Sequence, residues 1–200
     1  MNKFKIGSRV VGPDSPAYFI ADIAANHDGN LNKAIDLIYS CAEAGANAAK
    51  FQHFSAETIV SDKGFKNLNK KYLSHQKKWK KSVYEVYKDA SINLNWTLKL
   101  KEACKKAKID FISTPYSYEL ADHLFNHIPA YKIGSGDVNW LDFVTYVAKK
   151  KKPLLVATGA TMMVEVNNLI KLIYKINKKI VLMQCNTNYT GDENNLNYIN

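Results

Sequence analysis

The chain has 200 residues, 46% hydrophobic and 23% charged, enough for one globular domain with a sizeable core. Its formal net charge of +10 rests on lysine, because Arg9 is the only arginine, and arginine is the usual reader of bases and phosphates. Composition therefore argues against a nucleic-acid-binding protein and for a solvated lysine surface. Cys41, Cys104 and Cys185 form no Cys-x-x-Cys pair, so neither a disulfide framework nor a zinc site is indicated. No apolar run reaches membrane-spanning length, and Met1–Arg9 lacks the apolar centre of a signal peptide. A cytoplasmic, reducing location without a membrane partner is expected.

Strand and helix patterns alternate along the chain. A first apolar run, Ala17–Ala24, leads into Asn26, His27 and Asp28. Helix-periodic Leu31, Ala34, Ile35, Ile38, Cys41 and Ala42 follow, stopping at Gly45. A second strand, AAKFQHF, covers Ala48–Phe54. Residues 55–95, rich in Lys, Ser and Tyr, read as a long insertion over one face, with a helix in WKKSVYEVYKDA. A helix over 97–108 precedes a third strand, DFISTP. Helix ELADHLFNHI precedes a fourth, AYKIGSG, and LDFVTYVAKK a fifth, PLLVATG. A helix over 162–176 precedes a sixth, KIVLMQCNTN.

Six β-α units with buried-looking strands imply a parallel sheet covered by helices. A dinucleotide-binding sheet would carry a Gly-rich phosphate turn after its first strand, but AANHDGN has one glycine. Polar residues instead end every strand, as expected where a (β/α)8 barrel builds a site from several strand ends. Such a barrel needs eight strands and about 250 residues. With six counted, the expected fold is α/β, an incomplete (β/α)8 TIM-type barrel, and residues 1–200 read as part of a catalytic domain.

Lys50 and Lys132 are the sharpest chemical signals, because lysine inside an apolar strand needs an anion or a chemical use. Strand alternation puts Lys50 and Gln52 on one face and His53 on the other. Thr114, Ser135 and Thr158 are short donors at strand ends, suited to phosphate or carboxylate oxygens. Asp22 is the candidate acid/base residue, with partnership to a buried lysine as the alternative. His27 reads as a hydrogen-bonding residue or a metal ligand. No metal-ligand spacing is found, so the ligands of any bound metal would lie mostly elsewhere.

Taken in order, IADIAANHDGNLNKA, AGANAAKFQHF, FISTPYS, PAYKIGSGDVNWL, KPLLVATGA and VLMQCNTNYT resemble the N-acetylneuraminate (sialic acid) synthase family over nearly the whole chain. The resemblance implies condensation of phosphoenolpyruvate with an N-acetylated amino sugar to give a nonulosonic acid and phosphate. It makes Lys50, Thr114, Lys132 and Ser135 phosphoenolpyruvate contacts, and Gln52 and Tyr189 sugar contacts. Thr158 and Thr187 join the substrate-binding set. Asp22 falls where many members carry glutamate and takes that carboxylate's role toward the sugar aldehyde. Ala157 replaces a serine common before Thr-Gly, Thr187 falls where some members place asparagine, and Thr190 replaces a common proline.

The resemblance also implies a divalent metal, manganese, whose main ligands are expected beyond residue 200, and a homodimer in the full-length protein. The last barrel strands and an antifreeze-like domain have no match, so residues 1–200 alone are expected to be inactive. A Schiff-base aldolase using Lys132 or Lys50 and a basic polyanion-binding module are the competing readings.

Overall fold

The computed structural model describes residues 3–68, 76, 79–185 and 187. Contacts divide the chain into two compact units, Tyr18–Ile128 and Met1–Ala17 with Pro129–Asn200. The chain opens with an antiparallel hairpin of β1 (Phe4–Ile6) and β2 (Arg9–Val11). Gly7, at φ 56, makes the tight turn that a two-residue Gly-Ser loop requires.

In Tyr18–Ile128 three parallel strands carry the architecture. β3 (Ile20–Ala24) pairs with β4 (Ala48–His53), which pairs with β5 (Asp110–Pro115). Five of the six β4 residues are buried, as expected of a parallel strand covered on both faces. Helix α1 (Leu31–Glu43) starts where the Asn30 side chain accepts a hydrogen bond from the Lys33 N–H, and Gly45 turns the chain out of it at φ 86. Phe51, Ile112, Ile38, Leu100 and Leu124 are fully buried in this unit.

The segment after β4 forms α2 (Ala56–Ile59), α3 (Asp62–Asn67) and α4 (Val83–Ala90), with α4 packed on both others. Helix was expected throughout WKKSVYEVYKDA. It begins only at Val83, because Ser82 and Glu85 close a capping box at its start. Two further helices complete the unit, α5 (Thr97–Lys106) and α6 (Tyr118–Leu124), both packed on β5. The first strand is shorter than the apolar run Ala17–Ala24. Phe19 instead bonds to Asn47, just ahead of β4, through its N–H and its carbonyl.

The other unit repeats the pattern. β6 (Tyr131–Ile133), β7 (Leu154–Ala157) and β8 (Ile180–Met183) run parallel with β7 central. Helices α7 (Leu141–Lys149) and α8 (Met163–Ile173) alternate with them. Ile6, Tyr131, Ile133, Phe143, Leu154, Leu169 and Ile173 are the largest fully buried side chains here. No helix among the described residues is long and apolar enough to cross a membrane.

Candidate active site

In the Tyr18–Ile128 unit, register places the candidate residues side by side. Asp22 pairs with Lys50 across β3 and β4, and Gln52 pairs with Thr114 across β4 and β5. Residues two apart share a strand face, so Lys50 and Gln52 point the same way. Lys50 is only 6% exposed, and its Nζ donates to Asp22 Oδ1 at 2.7 Å. An ammonium group has three donors, and Asp22 is its one acceptor among the described residues. Asp22 itself is open to solvent, with 61% of its side chain exposed. It is not buried in the strand, as its position suggested, and it acts as the counter-ion of a buried lysine.

Just past Asp22 the strand departs from regularity. The register slips by one residue between Asp22 and Ala24, and Ala24 takes φ 53, a left-handed conformation that costs a non-glycine residue about 1–2 kcal/mol. Bulges re-aim side chains beside sites, and this one lies beside Asp22. On β5, Thr114 is buried and its hydroxyl has no hydrogen-bond partner among the described residues. A lone buried hydroxyl costs about 1–3 kcal/mol, a cost that a bound acceptor removes. Gln52 donates through Nε2 to the Tyr116 hydroxyl at 2.9 Å. The unit thus brings Asp22, Lys50, Gln52 and Thr114 onto adjoining strands, with Tyr116 just past the end of β5.

The second unit assembles its own group. Lys132 is 8% exposed and its Nζ donates to the Ile133 carbonyl at 2.8 Å. Burial holds the Asp137 carboxyl above the ordinary carboxylate range, with Lys132 pulling the other way. Ser135 Oγ accepts from the Gly159 N–H at 3.2 Å, and Thr158 Oγ1 donates to the Met183 carbonyl at 3.2 Å. A Cβ at Gly159 would come within 3.0 Å of Ser135 Oγ, the Cys185 carbonyl oxygen and Thr187 Cγ2. Close approach therefore requires glycine here, and it draws Ser135, Thr158 and Thr187 together. Tyr189 and Thr190 lie outside the described residues.

On the opposite face of β4, His53 is fully buried. Its Nδ1 lies 2.7 Å from Ser113 Oγ and its Nε2 3.0 Å from Thr97 Oγ1, which in turn lies 2.9 Å from His123 Nε2. Burial, reinforced by His123, His127 and His27, pushes His53 down to about 3. His27 is also buried. Its Nδ1 accepts from the Gly29 N–H at 3.2 Å, its Nε2 has no partner among the described residues, and burial lowers its pKa. His27 is thus a hydrogen-bonding residue beside a turn, seated edge-on against Trp96. Among the described residues no three His, Cys, Asp or Glu side chains form a group able to hold a metal. Burial raises Cys41, which is half-buried, and pushes the buried Cys104 up to about 12, so at neutral pH both remain protonated thiols.

The NeuB family model matches residues 37–200. The chain belongs to the NeuB family. Among curated relatives, the spore coat polysaccharide biosynthesis protein SpsE of Bacillus subtilis is 32% identical over 94% of this chain and 50% of its own length. The N,N'-diacetyllegionaminic acid synthase of Legionella pneumophila is 29% identical over 96% of this chain and 54% of its own. The chain thus spans about half the length of the curated relatives it matches. A crystal structure of a sialic acid synthetase from Leptospira borgpetersenii superposes with a TM-score of 0.84 over 98% of this chain and 63% of that one, at 24% identity. That likeness shows the fold, which is the expected incomplete (β/α)8 TIM-type barrel with six parallel strands among the described residues.

Tyr116 was missed from the sequence, although it stands two residues beyond Thr114 and parity alone puts it on the same face. The His53 cluster was missed for a different reason. Its members are 44 and 60 residues apart in sequence, and no local pattern joins them.

Proposed function

We propose that the intact protein condenses phosphoenolpyruvate with an N-acetylated amino sugar, N-acetylmannosamine or a relative, to give a nonulosonic acid and phosphate. The observation that carries this reading is Lys50, a buried ammonium with one acceptor among the described residues, with Thr114 two residues along the neighbouring strand, a buried hydroxyl with none among them. A cation and an unpartnered donor on adjoining strands suit an anion with several oxygens. Family membership supports the reaction class, because relatives are named as legionaminic and pseudaminic acid synthases.

In this reading Lys50, Thr114, Lys132 and Ser135 hold phosphoenolpyruvate, with Thr158 and Thr187 completing the phosphate side. Gln52 and Tyr189 contact the sugar. The methylene carbon of phosphoenolpyruvate forms the new carbon–carbon bond to the open-chain aldehyde, leaving the oxygen-bearing enol carbon electron-poor, and Asp22 positions or protonates the aldehyde oxygen. Water adds to the former enol carbon, and the tetrahedral intermediate expels phosphate. A divalent metal, manganese in our reading, would polarise the aldehyde. No three His, Cys, Asp or Glu side chains among the described residues could hold such an ion, and its main ligands are expected beyond residue 200. We further propose a cytoplasmic homodimer in which residues 1–200 form part of one catalytic barrel and are inactive alone.

The test is equilibrium binding of phosphoenolpyruvate to the intact protein. Lys50→Met removes a charged hydrogen bond and should weaken binding about ten- to a hundredfold, and Thr114→Val should weaken it about threefold or more. Wild-type affinity in both variants would overturn the assignment. Borohydride in the presence of pyruvate should trap no adduct on Lys50 or Lys132, whereas a Schiff-base aldolase would give one.

A further inference from the structure

The Gln52 amide is held from one side. Its Nε2 donates to the Tyr116 hydroxyl at 2.9 Å, and the Tyr116 N–H donates to the His53 carbonyl at 3.1 Å, which keeps residue 116 alongside β4. A glutamine amide has one acceptor end and one donor end. One of the two Nε2 hydrogens is held by Tyr116, so the amide cannot flip without losing that bond and Oε1 stays at the end away from the Tyr116 hydroxyl. The Tyr116 ring is itself fixed, standing edge-on to Phe54 at 6.0 Å and 85°. Phe54 packs on Tyr87 of α4 at 5.6 Å, and Tyr87 on Trp79 at 6.5 Å. The segment after β4 therefore buttresses, through three rings, the hydroxyl that orients Gln52.

We propose that Tyr116 is a positioning residue that turns the Gln52 amide oxygen toward the acceptor sugar and so selects sugars presenting an N–H or O–H donor there. This inference rests on the proposed reading that Gln52 faces the amino sugar. A phenylalanine at 116 would keep the ring and its Phe54 contact but release the amide to flip. A sugar with an acceptor at that position would then be tolerated as well as one with a donor.

The experiment is steady-state kinetics on the intact protein with N-acetylmannosamine, phosphoenolpyruvate and manganese. In Tyr116→Phe the KM for the sugar should rise about three- to tenfold, the equivalent of one hydrogen bond, with kcat and the KM for phosphoenolpyruvate unchanged. In a Gln52→Met background the same substitution should have no further effect, because Tyr116 acts through Gln52. An unchanged sugar KM in Tyr116→Phe would overturn the inference. So would an equal loss in every kinetic parameter, or an effect of the same size in both backgrounds. A wild-type protein that does not consume phosphoenolpyruvate would instead overturn the reaction itself, and the specificity role with it.

Discussion

His53 links acid to stability in a direction and size that follow from its surroundings. In the folded protein it is buried among Ser113, Thr97 and His123, and its pKa is pushed down to about 3. In the unfolded chain it titrates near the ordinary histidine value of about 6.5. Between those values the unfolded state binds a proton that the folded state refuses. Stability from neutral His53 is therefore fully present above about pH 6.5, declines by about 1.4 kcal/mol per pH unit below it, and is lost by about pH 3. The whole window amounts to about 4–5 kcal/mol, a large share of a typical domain's stability. His53→Gln keeps a donor and an acceptor for Ser113 and Thr97 but cannot titrate. Urea unfolding followed from about pH 7 to about pH 4 should show wild type losing stability more steeply than His53→Gln, by close to one proton. His27 and His127 also have lowered pKa values and contribute with the same sign, but equally in both proteins. Parallel curves would refute the reasoning, since they would mean that His53 binds protons alike in the folded and unfolded states.

Thr114→Val should separate binding from stability. It deletes a buried hydroxyl with no partner among the described residues, so thermal unfolding should show stabilisation of about 1 kcal/mol while phosphoenolpyruvate binding falls. Destabilisation would show that the hydroxyl has a partner in the folded protein. Gly159→Ala places a methyl 3.0 Å from the Cys185 carbonyl and Ser135 Oγ, and overpacking against backbone should cost about 1–3 kcal/mol by chemical denaturation. A neutral result would mean that the turn after β7 is looser than its geometry indicates.

Much of the fold was legible because its strands are buried on both faces and bounded by polar turns. DFISTP is β5, residue for residue, and within it Ser113 turns to His53 while Thr114 pairs in register with Gln52. The β1–β2 hairpin could have been read from Gly7-Ser8 between two β-branched or aromatic triplets, but each triplet is too short to show a period. For Asp22, strand position suggested burial, and only the pairing with Lys50 reveals an exposed counter-ion. That outcome depends on the bulge at Ile23, a backbone irregularity without a side-chain signature. Gln52 was legible as a site residue; parity hinted at Tyr116, but the hydrogen bond that joins the two spans 64 residues and has no local pattern.

The most direct test of the account is phosphate release from phosphoenolpyruvate by the intact protein, with and without an N-acetylated amino sugar, in the presence of manganese. The account predicts release only when the sugar is present, one phosphate for each sugar acid formed, and loss of that release in Lys50→Met. Residues 1–200 alone should release none. Release without sugar, or undiminished release in Lys50→Met, would contradict it.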